Sequence, residues 1–354
     1  MKFKPNLNYL DKIFISLLII IFFTYNSGRL YYGLPYYLNL DETRFLYSTL
    51  SYLNFITGSK WFFGDPIIAP LLSLILILKS IFINELLINS LNIEEIISKI
   101  YFNTELFIFY GRIASLITAS LSIFFLYLIF KKLKIKFFIY SILLVTFSTS
   151  LIIYQIASYH GKHVYYLLLF LLQFYFYFKY SIKLKSFNIN AYIIFGLLGA
   201  LAWGVSYWPA FFSIYFILIL HFKKFKFKEI KFLVTFFLIF LLLGPVLGII
   251  ASDFPILKFM ATSEQLVALE TNIFLKNAIK DILESLKIIL FAEKNILLLV
   301  IFFPIYFISK YSKFKEETLV ILLVFFFPII LFAISQRAVP QPRYFVGNIC
   351  IILI

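Results

Sequence analysis

IASLITASLSIFFLYLIFKKLKIK, residues 113–136, decides how the whole chain is read. From Ile113 to Phe130 there is no charged residue, and the run is about as long as a helix needs to cross the hydrocarbon of a bilayer. Lys131, Lys132, Lys134 and Lys136 follow at once, which is the mark of a cytoplasmic span end. The same sequence of apolar run and lysine cluster recurs along the chain: Lys2, Lys4 and Lys12; Lys179, Lys183 and Lys185; Lys223, Lys224, Lys226, Lys228 and Lys231; Lys310, Lys313 and Lys315. These clusters orient every segment between them.

Composition agrees. Of 354 residues 62% are hydrophobic and 14% charged, against the roughly 45–50% apolar usage of soluble domains. A net charge of +15 raises the question of nucleic acid, but the excess is confined to the lysine clusters, so it is read as positive-inside bias that also suits anionic lipid head groups. No nucleic-acid partner is expected. The single cysteine, Cys350, excludes an internal disulfide. Lys2, Lys4 and Lys12 precede an apolar run with no small-residue cleavage site after it, so the N-terminus reads as an uncleaved anchor.

With the clusters on the cytoplasmic side, 13–26 runs outward and 27–111 forms a long extracytoplasmic loop. Then 113–130 returns, 137–153 goes out, 164–178 returns, 191–207 goes out, 210–222 returns and 232–250 goes out. A second outer loop covers about 251–294, after which 296–308 returns, 319–335 goes out and a last run starts at Tyr344. The run 67–83 is long enough to span, but a span there would invert every later cluster. It is therefore expected as an interfacial helix of the first outer loop, the alternative being a true span compensated by another near 101–110. The segment 344–354 would make only about 16 Å of helix, half a bilayer, and reads as a span cut short. The expectation is an all-α integral membrane protein of about ten transmembrane segments, at roughly 20 residues each, forming one domain over 1–354.

Chemistry is sparse. No P-loop, GxGxxG, HExxH, CxxC or Asp-x-Asp occurs, and no cofactor or metal is expected. Gly196, Gly199, Gly204, Gly244 and Gly248 fall within apolar runs and read as small faces for close helix packing. Asp41-Glu42 stands apart, an adjacent carboxylate pair shortly after the first outward run, amid Tyr36, Tyr37, Phe45 and Tyr47. It fits a base at head-group depth, and taken alone it fits better a solvated loop and helix cap with Asp41 or Thr43 as the capping residue and Glu42 in the first turn. Arg44, Arg112 and Arg343 fall on the outer side in a chain that otherwise prefers lysine. Their planar forks suit phosphate oxygens, or interfacial anchoring. His160 and His163 share an outer turn.

Taken together, Asp41-Glu42, Gly64-Asp65-Pro66, Pro70-Leu71-Leu72, Arg112-Ile113-Ala114-Ser115-Leu116 leading to Lys131-Lys132, Gly199-Ala200-Leu201-Ala202-Trp203-Gly204 and Arg343-Tyr344 resemble the GT-C membrane glycosyltransferases that use polyprenyl-phosphate sugars. That group includes protein O-mannosyltransferases, aminoarabinose transferases and the RgtA/B/C/D-like bacterial enzymes. The resemblance implies a GT-C-like helical bundle in the inner (plasma) membrane, with a cytoplasmic N-terminus and an extracytoplasmic site. It implies Asp41 as catalytic base, with Glu42 orienting the acceptor or pairing with an arginine. Arg44, Arg112, Arg343 and Tyr344 would bind the donor phosphate, and His160 and His163 would form a second-loop or acceptor site. The partners it implies are a polyprenyl-phosphate-linked sugar, a glycan, lipid or protein acceptor, and membrane lipids. The family's His-Pro-Pro-Leu is reduced here to Pro70-Leu71, and His160 stands where an acidic residue often does. Two other classes stay open: a non-enzymatic flippase or transporter of lipid-linked sugars, and a polysaccharide polymerase or ligase.

Overall fold

The computed structural model describes residues 9–31, 42, 49–50, 104–205, 207–225 and 228–246. The expected interfacial helix at 67–83, the second outer loop and the expected runs beyond 295 lie outside these residues, as do Asp41, Arg44, Arg343 and Tyr344. The described residues hold helices and turns and no β-strand.

Among the described residues eight α-helices follow in chain order: α1 (Tyr9–Ser27), α2 (Thr104–Lys132), α3 (Phe137–Ser148), α4 (Leu151–Ser158), α5 (Lys162–Ile182), α6 (Ile189–Val205), α7 (Tyr207–Phe225) and α8 (Ile230–Leu241). A π-helical turn, Leu242–Val246, continues α8 around Pro245, whose missing N–H cannot join the regular ladder. Among the described residues two helical stretches, Tyr9–Ser27 and Phe107–Lys132, are long and apolar enough to cross a membrane, and α3 with α4 makes a third if that bent pair is one span. Ile189–Val205 and Ile230–Val246 are apolar but shorter. The described residues thus make a helical, membrane-associated protein, without reaching the expected ten spans.

The expected run 137–153 is not one straight helix. It breaks at Thr149 and Ser150, and the two axes differ by 54°. Ser150 takes an extended backbone and its hydroxyl accepts the Ile153 N–H at 3.4 Å, so it caps α4. Ser148 and Thr149 turn their hydroxyls back onto the Val145 carbonyl, which closes α3. Three consecutive hydroxyl side chains offer the backbone partners that compete with a continuing helix.

Helix α5 is the centre of the bundle, its aromatic residues buried against α2 and α7. Ring contacts give the directions. Phe125 meets Tyr175, Phe170 meets Phe212 and Phe174 meets Phe216, so α2, α5 and α7 run parallel. Helix α1 opposes α2: Asp11 at its start pairs with Lys131, while Leu30 just past its end meets Arg112. Phe14 meets Phe137 and Tyr25 meets Tyr154, so α3 and α4 run with α1. Tyr192 meets both His221 and Phe232, and Trp203 meets Phe240, so α6 and α8 run together against α7.

This alternation brings every described lysine except Lys162 to one end of the bundle. The directions are those expected from the lysine clusters. Glycines permit the tightest approach on the α6 side: a Cβ at Gly196 would stand 3.0 Å from Ile239, at Gly199 2.8 Å from Phe240, and at Gly244 3.2 Å from the Ala200 backbone. The small-face reading of these three is met, Gly204 is buried, and Gly248 lies outside the described residues.

Candidate functional site

At the end opposite the lysine clusters, three segments distant in sequence converge on the carboxylate of Glu42. Arg112, in the third turn of α2, donates Nε–H to Glu42 Oε1 and Nη2–H to Oε2, each at 2.8 Å. Its Nη1 donates to the Leu30 carbonyl at 3.0 Å, just past the end of α1. The backbone N–H of His160, in the turn between α4 and α5, donates to Glu42 Oε1 at 2.8 Å. Glu42 is fully buried and the Arg112 side chain is 6% exposed. Taking two charges out of water costs several kcal/mol per ion, and a planar fork on a carboxylate with added backbone bonds is the geometry that offsets it.

The His160 ring is part of the same knot. It lies against Gly111, where a Cβ would stand 2.6 Å from the imidazole Cγ. Only a residue without a side chain lets α2 pass this close to the α4–α5 turn. Tyr165 meets the ring edge-on at 6.3 Å. Burial pushes the imidazole down to about 4, the Glu42 charge and the Gly111 carbonyl pull it back, and Arg112 adds to the depression. His160 is therefore neutral at pH 7 and brings no positive charge to a phosphate.

Of the residues singled out from sequence, Glu42, Arg112 and His160 are brought together, and His163 is buried one turn away at the start of α5. The arrangement differs from an open clamp. Two edges of the Arg112 guanidinium face Glu42 and Leu30, so Arg112 acts here as a tie between segments. Of the two roles expected for Glu42, orienting the acceptor or pairing with an arginine, the structure has the pairing, with Arg112. Asp41, Arg44, Arg343 and Tyr344 lie outside the described residues.

Arg29 was passed over in sequence. It is exposed at the same end, its guanidinium 3.9 Å from the Tyr154 ring centroid. The signal was there, an arginine just beyond an outward apolar run. A second buried carboxylate, Asp11, sits at the lysine end, where Lys131 and the Tyr140 hydroxyl both donate to it. About 28 Å of α2, at roughly 1.5 Å per residue, separates Arg112 from Lys131, close to the thickness of a hydrocarbon core. Between them the polar side chains of α2, Ser115, Thr118, Ser120 and Ser122, bond to carbonyls one turn back and leave the interior uncharged. No group of three His, Cys, Asp or Glu side chains gathers among the described residues to hold a metal. Comparison with protein-family models, with curated proteins and with solved structures finds no match to this chain.

Proposed function

We propose that this chain is a membrane glycosyltransferase that moves a sugar from a polyprenyl-phosphate donor to an acceptor hydroxyl on the extracytoplasmic face. The observation that carries the reading is the buried Glu42–Arg112 pair at the end of the bundle remote from the lysines. It anchors the chain neighbour of Asp41 to α2 and to the α4–α5 turn. An anchored neighbour is what a base needs in order to meet its substrate in one geometry.

In the proposed reaction the Asp41 carboxylate takes the acceptor hydroxyl proton as that oxygen attacks the anomeric carbon. The bond from that carbon to the donor phosphate oxygen breaks, and the polyprenyl phosphate leaves as an anion with inversion at the carbon. Arg44 and Arg343 are the candidates for stabilising the leaving phosphate. Glu42 and Arg112 hold the frame.

The competing transporter reading calls for charges along a path through the bundle interior. The charged pairs among the described residues cap its two ends instead, and α2 between Arg112 and Lys131 carries none. The experiment is a comparison of envelope lipids and glycans from cells with and without the intact gene, paired with a radiolabelled polyprenyl-phosphate sugar in reconstituted vesicles. Transfer supports the enzyme. Donor that only changes leaflet without a product would replace it with a flippase.

A further inference from the structure

Gln173 on α5 and Ser213 on α7 are fully buried inside the bundle, and the proposed reaction uses neither. The Gln173 amide, at both its oxygen and its nitrogen, and the Ser213 hydroxyl have no hydrogen-bond partner among the described residues. Gln173 stands about 15 Å from either end of α5, at roughly 1.5 Å per residue, far from both surfaces of the bundle. Polar groups taken out of water without a partner cost stability, and those that folded proteins keep are held by a protein group or an ordered water.

Ring contacts fix where the two side chains point. On α5, Phe170, Phe174 and Tyr177 face Phe212 and Phe216 of α7. At about 100° per residue, Gln173 lies roughly 70° to one side of that facing line on α5, and Ser213 roughly 80° in the opposite sense on α7. The two helices are parallel, so opposite senses put both side chains on the same flank. That flank belongs to α6: a Cβ at Gly199 would stand 3.0 Å from the Ser213 Cβ, and α6 packs on α5 as well as on α7. Tyr175, which meets Phe125 of α2, points to the other flank. In height Phe170 is level with Phe212 and Phe174 with Phe216, so Ser213 lies roughly 3 Å nearer the α5 N-terminus than Gln173 does. Helical side chains tilt toward the N-terminus, which carries the amide back to the level of the serine.

We propose that Gln173 and Ser213 bind a single buried water where α5, α6 and α7 meet. The amide both donates and accepts, and so does the hydroxyl, so one water can join them and have the polar contacts that hold such molecules in place. The bridge also sets the helix register. Phe170 and Phe174 on α5, and Phe212 and Phe216 on α7, repeat at one-turn spacing, and rings alone permit a slip by a turn. A polar link admits one register, as a single buried asparagine does in a coiled coil. The site depends on the helix packing and not on the glycosyltransferase reading.

The test uses the full chain in nanodiscs. Brief X-ray radiolysis makes hydroxyl radicals from bound as well as bulk water, and mass spectrometry maps the side chains they oxidise. Phe170 and Phe212, whose rings meet at 5.0 Å beside the site, should be oxidised in the wild-type chain, and the similarly buried Phe130 and Phe147 should not. In the double variant Gln173→Leu with Ser213→Ala, oxidation of Phe170 and Phe212 should fall to the level of Phe130 and Phe147, with the helical signal retained. Wild-type Phe170 and Phe212 as silent as Phe130 and Phe147, or oxidation unchanged in the double variant, would overturn the proposal. The wild-type comparison decides by itself if the variant fails to fold.

Discussion

Glu42 and Arg112, 70 residues apart in the chain, meet in a buried two-point ion pair whose two contacts are both 2.8 Å long. Removing one partner leaves the other charge buried without its complement, so Glu42→Leu and Arg112→Met should each destabilise the protein by about 3–5 kcal/mol. The double replacement Glu42→Leu with Arg112→Met should recover a large part of that loss. Arg112→Lys keeps the charge but reaches fewer acceptors, and should fall between. Thermal unfolding in detergent at fixed lipid content measures all four. Additive losses in the double variant would show that the two side chains are not coupled.

Gly111→Ala puts a methyl group into the His160 ring. Overpacking of this kind costs roughly 1–3 kcal/mol, against a gain of up to about 1 kcal/mol from the better helix former. His160→Ala in the same chain should suppress the defect, since it removes the atom that clashes. A melting curve for Gly111→Ala that matches wild type would contradict the close passage of α2 over the turn.

Acid should loosen the same knot. The His160 imidazole is held at about 4, below its ordinary 6.5, so as pH falls through 6.5 the unfolded chain takes up its proton first. Stability that is complete above pH 6.5 is then lost toward pH 4, by up to about 1.4 kcal/mol per pH unit across that window. His160→Phe, which keeps a ring and cannot titrate, should flatten the melting temperature between pH 7 and pH 4.5. An unchanged slope in that variant would assign the acid sensitivity to other groups.

The α6–α8 contact offers a paired comparison. Gly196→Ala would bring a methyl group to 3.0 Å from Ile239 and 3.3 Å from the Phe236 carbonyl, and should cost about 1–3 kcal/mol. Gly28→Ala meets nothing within 4 Å and should change stability by less than about 0.5 kcal/mol. Equal melting temperatures for the two variants would remove the argument for close packing at Gly196.

Helix directions were legible because each lysine cluster marks an end of an apolar run, and the alternating helices bring those ends together. The pairing of Glu42 with an arginine was legible as one of two roles. Its burial was not, because nothing local relates residue 42 to residues 112 and 160 across such long separations. The kink between α3 and α4 was hidden in an apolar average: hydropathy over 137–153 registers Ser148, Thr149 and Ser150 as a small dip, whereas their hydroxyls end one helix and start the next. Asp11 stands among N-terminal lysines, and nothing in the sequence singles it out. It is buried beneath Lys131 and Tyr140, because α1 starts where α2 ends.

In the proposed reaction Asp41, the chain neighbour of the buried Glu42, is the base of a sugar transfer. The most direct measurement is transfer of radiolabelled sugar from polyprenyl phosphate by Asp41→Asn in reconstituted vesicles, beside wild type and at equal protein inserted. Asparagine keeps the size and polarity but cannot take the proton, and loss of a general base costs about 10²–10⁴-fold. Transfer is expected to fall at least that far, with the melting temperature unchanged because the Glu42–Arg112 tie is intact. Wild-type transfer by Asp41→Asn would contradict it.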